Sequence, residues 1–216
     1  MKADLVFPFG DLLIFGETWL EHGENQTLNT DNFSDGVLPT NYNQIPANRD
    51  SSLELPGYKL HLNSRGRGKG LAAYYNEKFN VTQSICSDLL QITVLEANDI
   101  CVISIYRSHG DKSLNTQLSH VIPKTGSCLI IGDLNICSSE NNQHEVFTVL
   151  RSMGFQLMIS EATHFLGRKI DQAWLRSSPN TQQVAHTSLY SPYFNAKDHD
   201  SILVTFCDPN TEKGEL

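Results

Sequence analysis

The sequence predicts an α/β domain in which two packed β-sheets are flanked by helices. Its length of 216 residues suits one domain of this class. Strand-like segments follow one another closely, with short turns between them, as expected for paired strands packed in layers. Two segments with helical periodicity, 113–122 and 145–153, lie between strands and are followed by Pro123 and Gly154, which are typical helix stops.

Strand-like segments occur along most of the chain. They are residues 11–17, 58–63, 71–76, 89–95, 101–107, 128–131, 170–176 and 202–206. We predict a single domain over residues 1–216, with residues 207–216 forming a frayed tail.

The composition excludes several classes of protein. Hydrophobic residues make up 39% of the chain, and no stretch approaches the roughly 18 unbroken apolar residues of a membrane span. The N-terminus lacks the basic region and cleavage site of a signal peptide. No C-x-x-C pair is present, so neither a zinc site nor a disulfide scaffold is expected of Cys86, Cys101, Cys128, Cys137 and Cys207. We therefore expect an intracellular monomer, nuclear or cytoplasmic, that is not secreted and does not bind membranes.

The net charge of −8 argues against strong intrinsic affinity for nucleic acid, because proteins that grip its backbone are usually basic. The same acidity is compatible with a site that gathers carboxylates around a divalent cation. Basic residues also cluster locally, at Arg65, Arg67 and Lys69.

The most informative motif is the segment 127–137, SCLIIGDLNIC. An apolar strand ends here in Gly132, Asp133, Leu134 and Asn135. Because side chains on a strand alternate between faces, Asp133 and Asn135 are expected to point the same way. A carboxylate beside a carboxamide can orient a water molecule and hold an anionic oxygen. The alternative is an ordinary Asp/Asn turn at a strand end.

Further polar residues stand near the ends of predicted strands: Glu17, Tyr106, Arg107, Thr163, His164, Asp171, Asp198 and His199. Each has a simpler interpretation on its own. Glu17 could be a solvated carboxylate at a helix N-terminus, and Asp171 could pair with Arg168 or Lys169. The order of the whole set carries more weight than any one member.

In that order, ETWL (17–20), IYR (105–107), GDLN (132–135), THFLGRKIDQAWL (163–175) and DHDSI (198–202) resemble the endonuclease/exonuclease/phosphatase superfamily. The resemblance covers residues 11–206 and is greatest to the apurinic-like endonuclease domain of non-LTR (LINE-type) retrotransposons. RGRGKGLAAYY (65–75) resembles the arginine- and glycine-rich turn of that family. The resemblance implies a four-layered α/β sandwich, with two mixed β-sheets flanked by helices.

The resemblance also implies hydrolysis of a phosphodiester with Mg²⁺, or with Mn²⁺ in its place. Glu17 and Asp198 would hold the metal, which prefers carboxylate oxygens. The catalytic residues would be Asp133, which activates the attacking water, Asn135, which positions it, Tyr106, which contacts the phosphate, and His199, whose ring Asp171 orients. The partner would be duplex DNA, nicked in one strand and contacted by Arg65, Arg67, Lys69, Arg107, Thr163 and His164.

One departure from the family pattern concerns the N-terminus. The family has an early strand that ends in a catalytic Asn, whereas none of residues 1–16 is Asn. We therefore expect that the first strand is missing or altered. Because the sequence holds no reverse transcriptase, we also expect that the chain is a fragment, a truncated transposon copy or a domesticated protein. Two alternatives to an active DNA endonuclease stay open. One is a catalytically weak, transposon-derived DNA-binding or scaffold protein. The other is a hydrolase of the same superfamily acting on RNA, a phospholipid or an inositol phosphate.

Overall fold

The computed structural model describes residues 11–16, 55–64, 70–97, 100–138, 143–159, 161–164, 166–178, 184–189 and 199–206. One of its sheets is antiparallel and has three strands, in the spatial order β1 (Leu12–Phe15), β3 (Gly70–Tyr75) and β2 (Lys59–Ser64). The predicted turn and tail residues 65–69 and 207–216 lie outside the described parts of the chain.

A six-stranded mixed sheet forms the centre of the fold. Its spatial order is β4 (Asn80–Cys86), β5 (Leu90–Ala97), β6 (Ile100–Arg107), β7 (Ser127–Asp133), β9 (Asp171–Arg176) and β8 (Gln156–Leu157). The strands β6 and β7 run parallel, and the other neighbours run antiparallel. Parallel strands need a crossover connection, and the helix α1 (Leu114–Val121) lies in it. A separate antiparallel pair contains β10 (Val184–Leu189) and β11 (Ser201–Phe206).

The core on one face of the six-stranded sheet lies beneath α1 and the helix α2 (Glu145–Ser152). The apolar stripes of both helices, including Leu118 and Phe147, are fully buried against sheet residues such as Ile103, Ile130 and Trp174. Each helix has eight residues, and no helix in the described parts of the chain is long and apolar enough to cross a membrane.

A second core lies between the two sheets. Ala73 of β3 packs there with Leu95, Val102 and Leu129 of the six-stranded sheet, and Val204 of β11 packs against the same cluster. The described residues thus form a helix layer and two sheet layers. The predicted sandwich of two sheets with flanking helices is confirmed, except that the three-stranded sheet is antiparallel rather than mixed in its described strands.

Four cysteines lie in the described segments, and none of them forms a disulfide there: Cys86, Cys101, Cys128 and Cys137. Cys101 and Cys128 are neighbours across β6 and β7, and their thiols are hydrogen-bonded. That bond and burial raise the pKa of the Cys128 thiol. The fifth cysteine, Cys207, lies outside the described residues.

The buried side chain of Asn63 links the two sheets at one end of the sandwich. Its amide nitrogen, on β2, lies 2.9 Å from the carbonyl oxygens of both Ile85 and Ile92 and 3.2 Å from the hydroxyl of Thr93. Asn63 is 3% exposed. A buried donor with partners in two strands of the opposite sheet fixes the position of one sheet on the other.

We expect Asn63→Leu to lower the free energy of unfolding by about 2 kcal/mol, because it removes the donor from acceptors that stay buried. Urea denaturation followed by circular dichroism measures the change. The matched control is Asn80→Leu, at an exposed position at the start of β4, which should have a much smaller effect. Equal loss of stability in the two variants would contradict the role assigned to Asn63.

Candidate active site

The register of the six-stranded sheet places Tyr106, Asp133 and Asp171 in one row across the ends of three inner strands. Tyr106 of β6 is the neighbour of Asp133 of β7, and Asp133 is the neighbour of Asp171 of β9. The chain enters this row from two opposite directions, because β6 and β7 are parallel whereas β9 is antiparallel to them. Two carboxylates and a phenol are therefore side by side at one end of the inter-sheet face.

Gly132, directly before Asp133, allows β7 to approach β6 closely. It has φ +141°, and a Cβ at this position would lie 1.9 Å from the carbonyl oxygen of Ile105. Only glycine fits such a contact with backbone. Gly132 thus allows the two strands to approach closely, and Asp133, the next residue, places a carboxylate at the same point. Asp133 is 5% exposed.

Asn135 reaches Asp133 through a turn and not through strand alternation. The strand ends at Asp133, and Asn135 has φ +49°, a left-handed conformation that Asn tolerates better than most residues. Its backbone N–H donates to Asp133 Oδ1 at 2.8 Å, and its side-chain Nδ2 donates to Asp133 Oδ2 at 3.1 Å and to the Arg107 carbonyl at 2.7 Å. The predicted proximity is present, but the reasoning from period 2 was wrong because the strand had already ended.

Asp171 pairs with His199. His199 Nδ1 lies 2.8 Å from Asp171 Oδ2, with both side chains largely buried. Because an ionised carboxylate only accepts hydrogen bonds, Nδ1 is the donor in this pair, and Nε2 is the ring nitrogen directed away from Asp171. The alternative pairing of Asp171 with Arg168 or Lys169 is replaced by this one.

A backbone bridge between His164 and His199 holds the chain around His199. The two imidazole rings meet edge to face with their centroids 4.9 Å apart, and the Asp200 N–H donates to the Thr163 carbonyl at 2.7 Å. The segment that carries His199 is thereby fixed beside the segment that leads into β9.

Thr163 lies beneath the site. It is fully buried, and its hydroxyl accepts from the Asp171 N–H at 3.1 Å. The sequence assigned Thr163 to nucleic-acid contact, but burial keeps its side chain from any surface. Its place in the structure is that of a support for Asp171.

The sequence also assigned Arg107 to contact with nucleic acid, but its guanidinium is directed into the protein. It donates to the carbonyl oxygens of Leu134 (3.1 Å) and Asp111 (2.7 Å), and its Nε lies 3.6 Å from Asp111 Oδ2. The side chain is 11% exposed. Asp111 in turn accepts from the N–H groups of Ser113 and Leu114 at the start of α1. Arg107 thus braces the strand end that bears Asp133 and Asn135.

Asp133, Asp171 and His199 offer ligand atoms that all lie within 4.8 Å of one another. Two adjacent, largely buried carboxylates repel each other unless a cation or a proton lies between them, so this donor set fits a divalent metal. The metal ligands predicted from the sequence, Glu17 and Asp198, lie outside the described residues, as do Arg65, Arg67 and Lys69.

Two glutamines of the site region were missed by sequence reasoning. Gln91 of β5 is fully buried and is the neighbour of Tyr106, so it extends the polar row by one strand. Gln172 donates to the carbonyl of Ile136 and accepts from Trp174 Nε1, which holds the segment after Asn135 against β9. A polar residue inside an otherwise apolar strand was the available signal for both.

The sequence matches no protein-family model and no curated protein. The structure is similar to the endonuclease domain of TRAS1, a telomere-specific non-LTR retrotransposon, with a TM-score of 0.52 and 10% identity over 70% of this chain and 79% of that one. The chain has the endonuclease/exonuclease/phosphatase fold. This fold confirms, at the level of architecture, the resemblance stated from the sequence.

Other structures with the endonuclease/exonuclease/phosphatase fold align less closely. Truncated TDP2 from Caenorhabditis elegans aligns with a TM-score of 0.46 and 12% identity over 69% of this chain and 75% of that one. An endonuclease/exonuclease/phosphatase family protein from Bacteroides thetaiotaomicron aligns with a TM-score of 0.40 and 14% identity over 70% and 71%.

Proposed function

We propose that this chain is a metal-dependent phosphodiesterase, a retrotransposon-type endonuclease that nicks one strand of duplex DNA. The observation that carries the proposal is the cluster of Asp133, Asp171 and His199 at one end of the inter-sheet face, with Asn135 bonded to Asp133. The fold shared with the TRAS1 endonuclease domain supports the choice of DNA as the substrate.

Hydrolysis requires that a water oxygen attack phosphorus while the bond to the leaving oxygen breaks. Asp133 is the acceptor for the proton of that water. The Asn135 amide, whose Nδ2 donates to two acceptors, orients the water by accepting from it through Oδ1. His199, oriented by Asp171, stabilises the charge that develops on the phosphate oxygens. Tyr106 completes the row next to Asp133 and contacts the phosphate.

A divalent metal, Mg²⁺ or Mn²⁺, would supply Lewis acidity to the phosphate and stabilise the leaving oxygen. We assign Glu17 and Asp198 as its ligands from the sequence. Among the described residues, Asp133, Asp171 and His199 have ligand atoms within 4.8 Å of one another and could also hold a metal ion. Removal of the metal by a chelator should therefore abolish nicking and leave the fold intact.

The decisive experiment is nicking of supercoiled plasmid in Mg²⁺, compared between wild type and Asp133→Asn. We expect a loss of about 10²–10⁴-fold in rate, since general base catalysis contributes that much. Glu96→Gln, at an exposed position near the opposite end of β5, is the matched control and should nick as wild type does. Equal rates in wild type and Asp133→Asn, or nicking that persists in a chelator, would overturn the proposal.

A further inference from the structure

Asn135 has a backbone conformation that few side chains adopt. It is the only non-glycine residue of the described segments with a positive φ, +49°. A left-handed backbone at such a residue costs free energy, and it persists only where the surrounding contacts determine it. The contacts on either side of Asn135 therefore decide where its side chain lies.

Two side chains from different strands bind the backbone before and after Asn135. Nη1 of Arg107, at the end of β6, donates to the carbonyl oxygen of Leu134 at 3.1 Å. Nε2 of Gln172, on β9, donates to the carbonyl oxygen of Ile136 at 2.6 Å. The peptide groups that flank Asn135 are thus each held by a donor from a neighbouring strand.

The amide of Gln172 is itself fixed in one orientation. Its Oε1 accepts from Trp174 Nε1 at 2.8 Å, and an indole nitrogen can only donate, so the nitrogen of the amide must face Ile136. The same nitrogen also donates to the Lys169 carbonyl at 3.2 Å. Gln172 is 1% exposed, so water does not compete for these bonds.

Gln172 is separated from the reacting groups by the sheet. It is the residue after Asp171 on β9, and successive side chains on a strand point to opposite faces. Its partner Trp174 packs in the core beneath the helices, together with Phe147. Gln172 therefore contacts neither the attacking water nor the phosphate, and it can act on the reaction only through the backbone at 134–136.

The position of Asn135 determines the position of two groups in the proposed mechanism. Its N–H donates to Asp133 Oδ1 at 2.8 Å, and its Nδ2 donates to Asp133 Oδ2 and to the Arg107 carbonyl. With both Nδ2 hydrogens used in this way, Oδ1 is the side-chain atom left to accept from water. A shift of the backbone at 134–136 would move this oxygen and the Asp133 carboxylate together.

We propose that Gln172 is a positioning residue for hydrolysis, which together with Arg107 fixes Asn135 from both sides. Its effect on the rate rests on the proposed function, but its hold on Asn135 can be measured without catalysis. Loss of the Gln172 donor should lower kcat and leave KM for DNA nearly unchanged, because this buried side chain contacts no substrate.

The first test compares plasmid nicking by wild type and Gln172→Met, which removes the amide at similar volume. We expect kcat to fall by about 10–100-fold and KM to change by less than about twofold, since a misplacement of about 1 Å can cost 10²-fold in rate. Gln117→Met is the matched control, because Gln117 of α1 is also a buried glutamine, 3% exposed, and its loss should leave kcat unchanged. If Gln172→Met does not fold, Gln172→Asn keeps an amide but shortens it by one methylene, and should lower kcat in the same way.

Solvent exchange of the Asn135 side-chain amide protons gives the second measurement, by NMR, with the signals assigned by their absence from Asn135→Asp. The folded Gln172 variant should exchange these protons at least about tenfold faster than wild type, because the local structure opens more often. A wild-type exchange rate or a wild-type kcat in that variant would overturn the proposal even if the chain nicks DNA. Faster exchange in a chain that does not nick would uphold the hold on Asn135 and reject the proposed function.

Discussion

Replacement of His199 by alanine is expected to lower the rate of plasmid nicking by about 10²–10⁴-fold, the contribution of a positioned imidazole to proton transfer and charge stabilisation. Asp171→Asn should have an effect of similar size, because Asp171 bonds His199 Nδ1 at 2.8 Å and fixes the tautomer of the ring. Residues that act as one unit have non-additive effects. The double variant should therefore be no slower than the slower of the two single variants.

Single-turnover nicking rates at saturating Mg²⁺ measure all three variants. His120→Ala, at an exposed position of α1, is the matched control for loss of an imidazole and should retain the wild-type rate. If the losses in the two single variants instead multiply in the double variant, Asp171 and His199 act independently, and the pairing has no catalytic meaning.

The second large effect is expected for Gly132→Ala, which should lower the free energy of unfolding by at least about 3 kcal/mol. The added Cβ would lie 1.9 Å from the Ile105 carbonyl oxygen, and both atoms belong to rigid sheet. Side-chain rotation cannot relieve this contact. Thermal denaturation measures the change, and nicking should fall as well because Asp133 is the next residue.

Gly57→Ala separates the two possible causes of that loss. Gly57 also has a positive φ, +83°, but nothing lies within 4 Å of its missing Cβ. This control should cost only the backbone strain, about 1 kcal/mol. A similar loss in both variants would mean that φ alone, and not the close approach of β6 and β7, explains the demand for glycine.

Local sequence pattern predicted the elements that have one buried and one exposed face, because such elements alternate apolar and polar residues in a recognisable way. Both helices were predicted to within a residue or two, because their apolar stripes and the stops at Pro123 and Gly154 are local signals. The strand β4 was missed because Asn80 and Thr82 point to solvent and the register shifts between Val81 and Gln83, which interrupts the alternation. β8 was missed as well, because two residues are too few to show an alternating pattern. β10 was missed because its polar sequence shows little apolar alternation.

The sequence was sufficient to predict which residues belong to the candidate site, but not how those residues are arranged in space. Asp133, Asp171 and His199 were found from motifs, but which of them are neighbours depends on the register of β6, β7 and β9. That register arises from contacts between segments far apart in sequence. The inward direction of Arg107 and the burial of Thr163 depend on partners, Leu134 and Asp171, that no local pattern indicates.

The parallel pairing of β6 and β7 has a consequence for how the protein acquires activity. The row of Tyr106, Asp133 and Asp171 forms only after β7 has paired with β6 through the crossover and β9 has paired with β7. His199, which is 28 positions from Asp171 along the chain, must then reach Asp171. Such non-local contacts form slowly, because the entropy of closing each loop is lost before the contact stabilises it. Recovery of nicking during refolding should therefore lag behind the recovery of helical circular dichroism, which makes catalysis a reporter of the last step of folding.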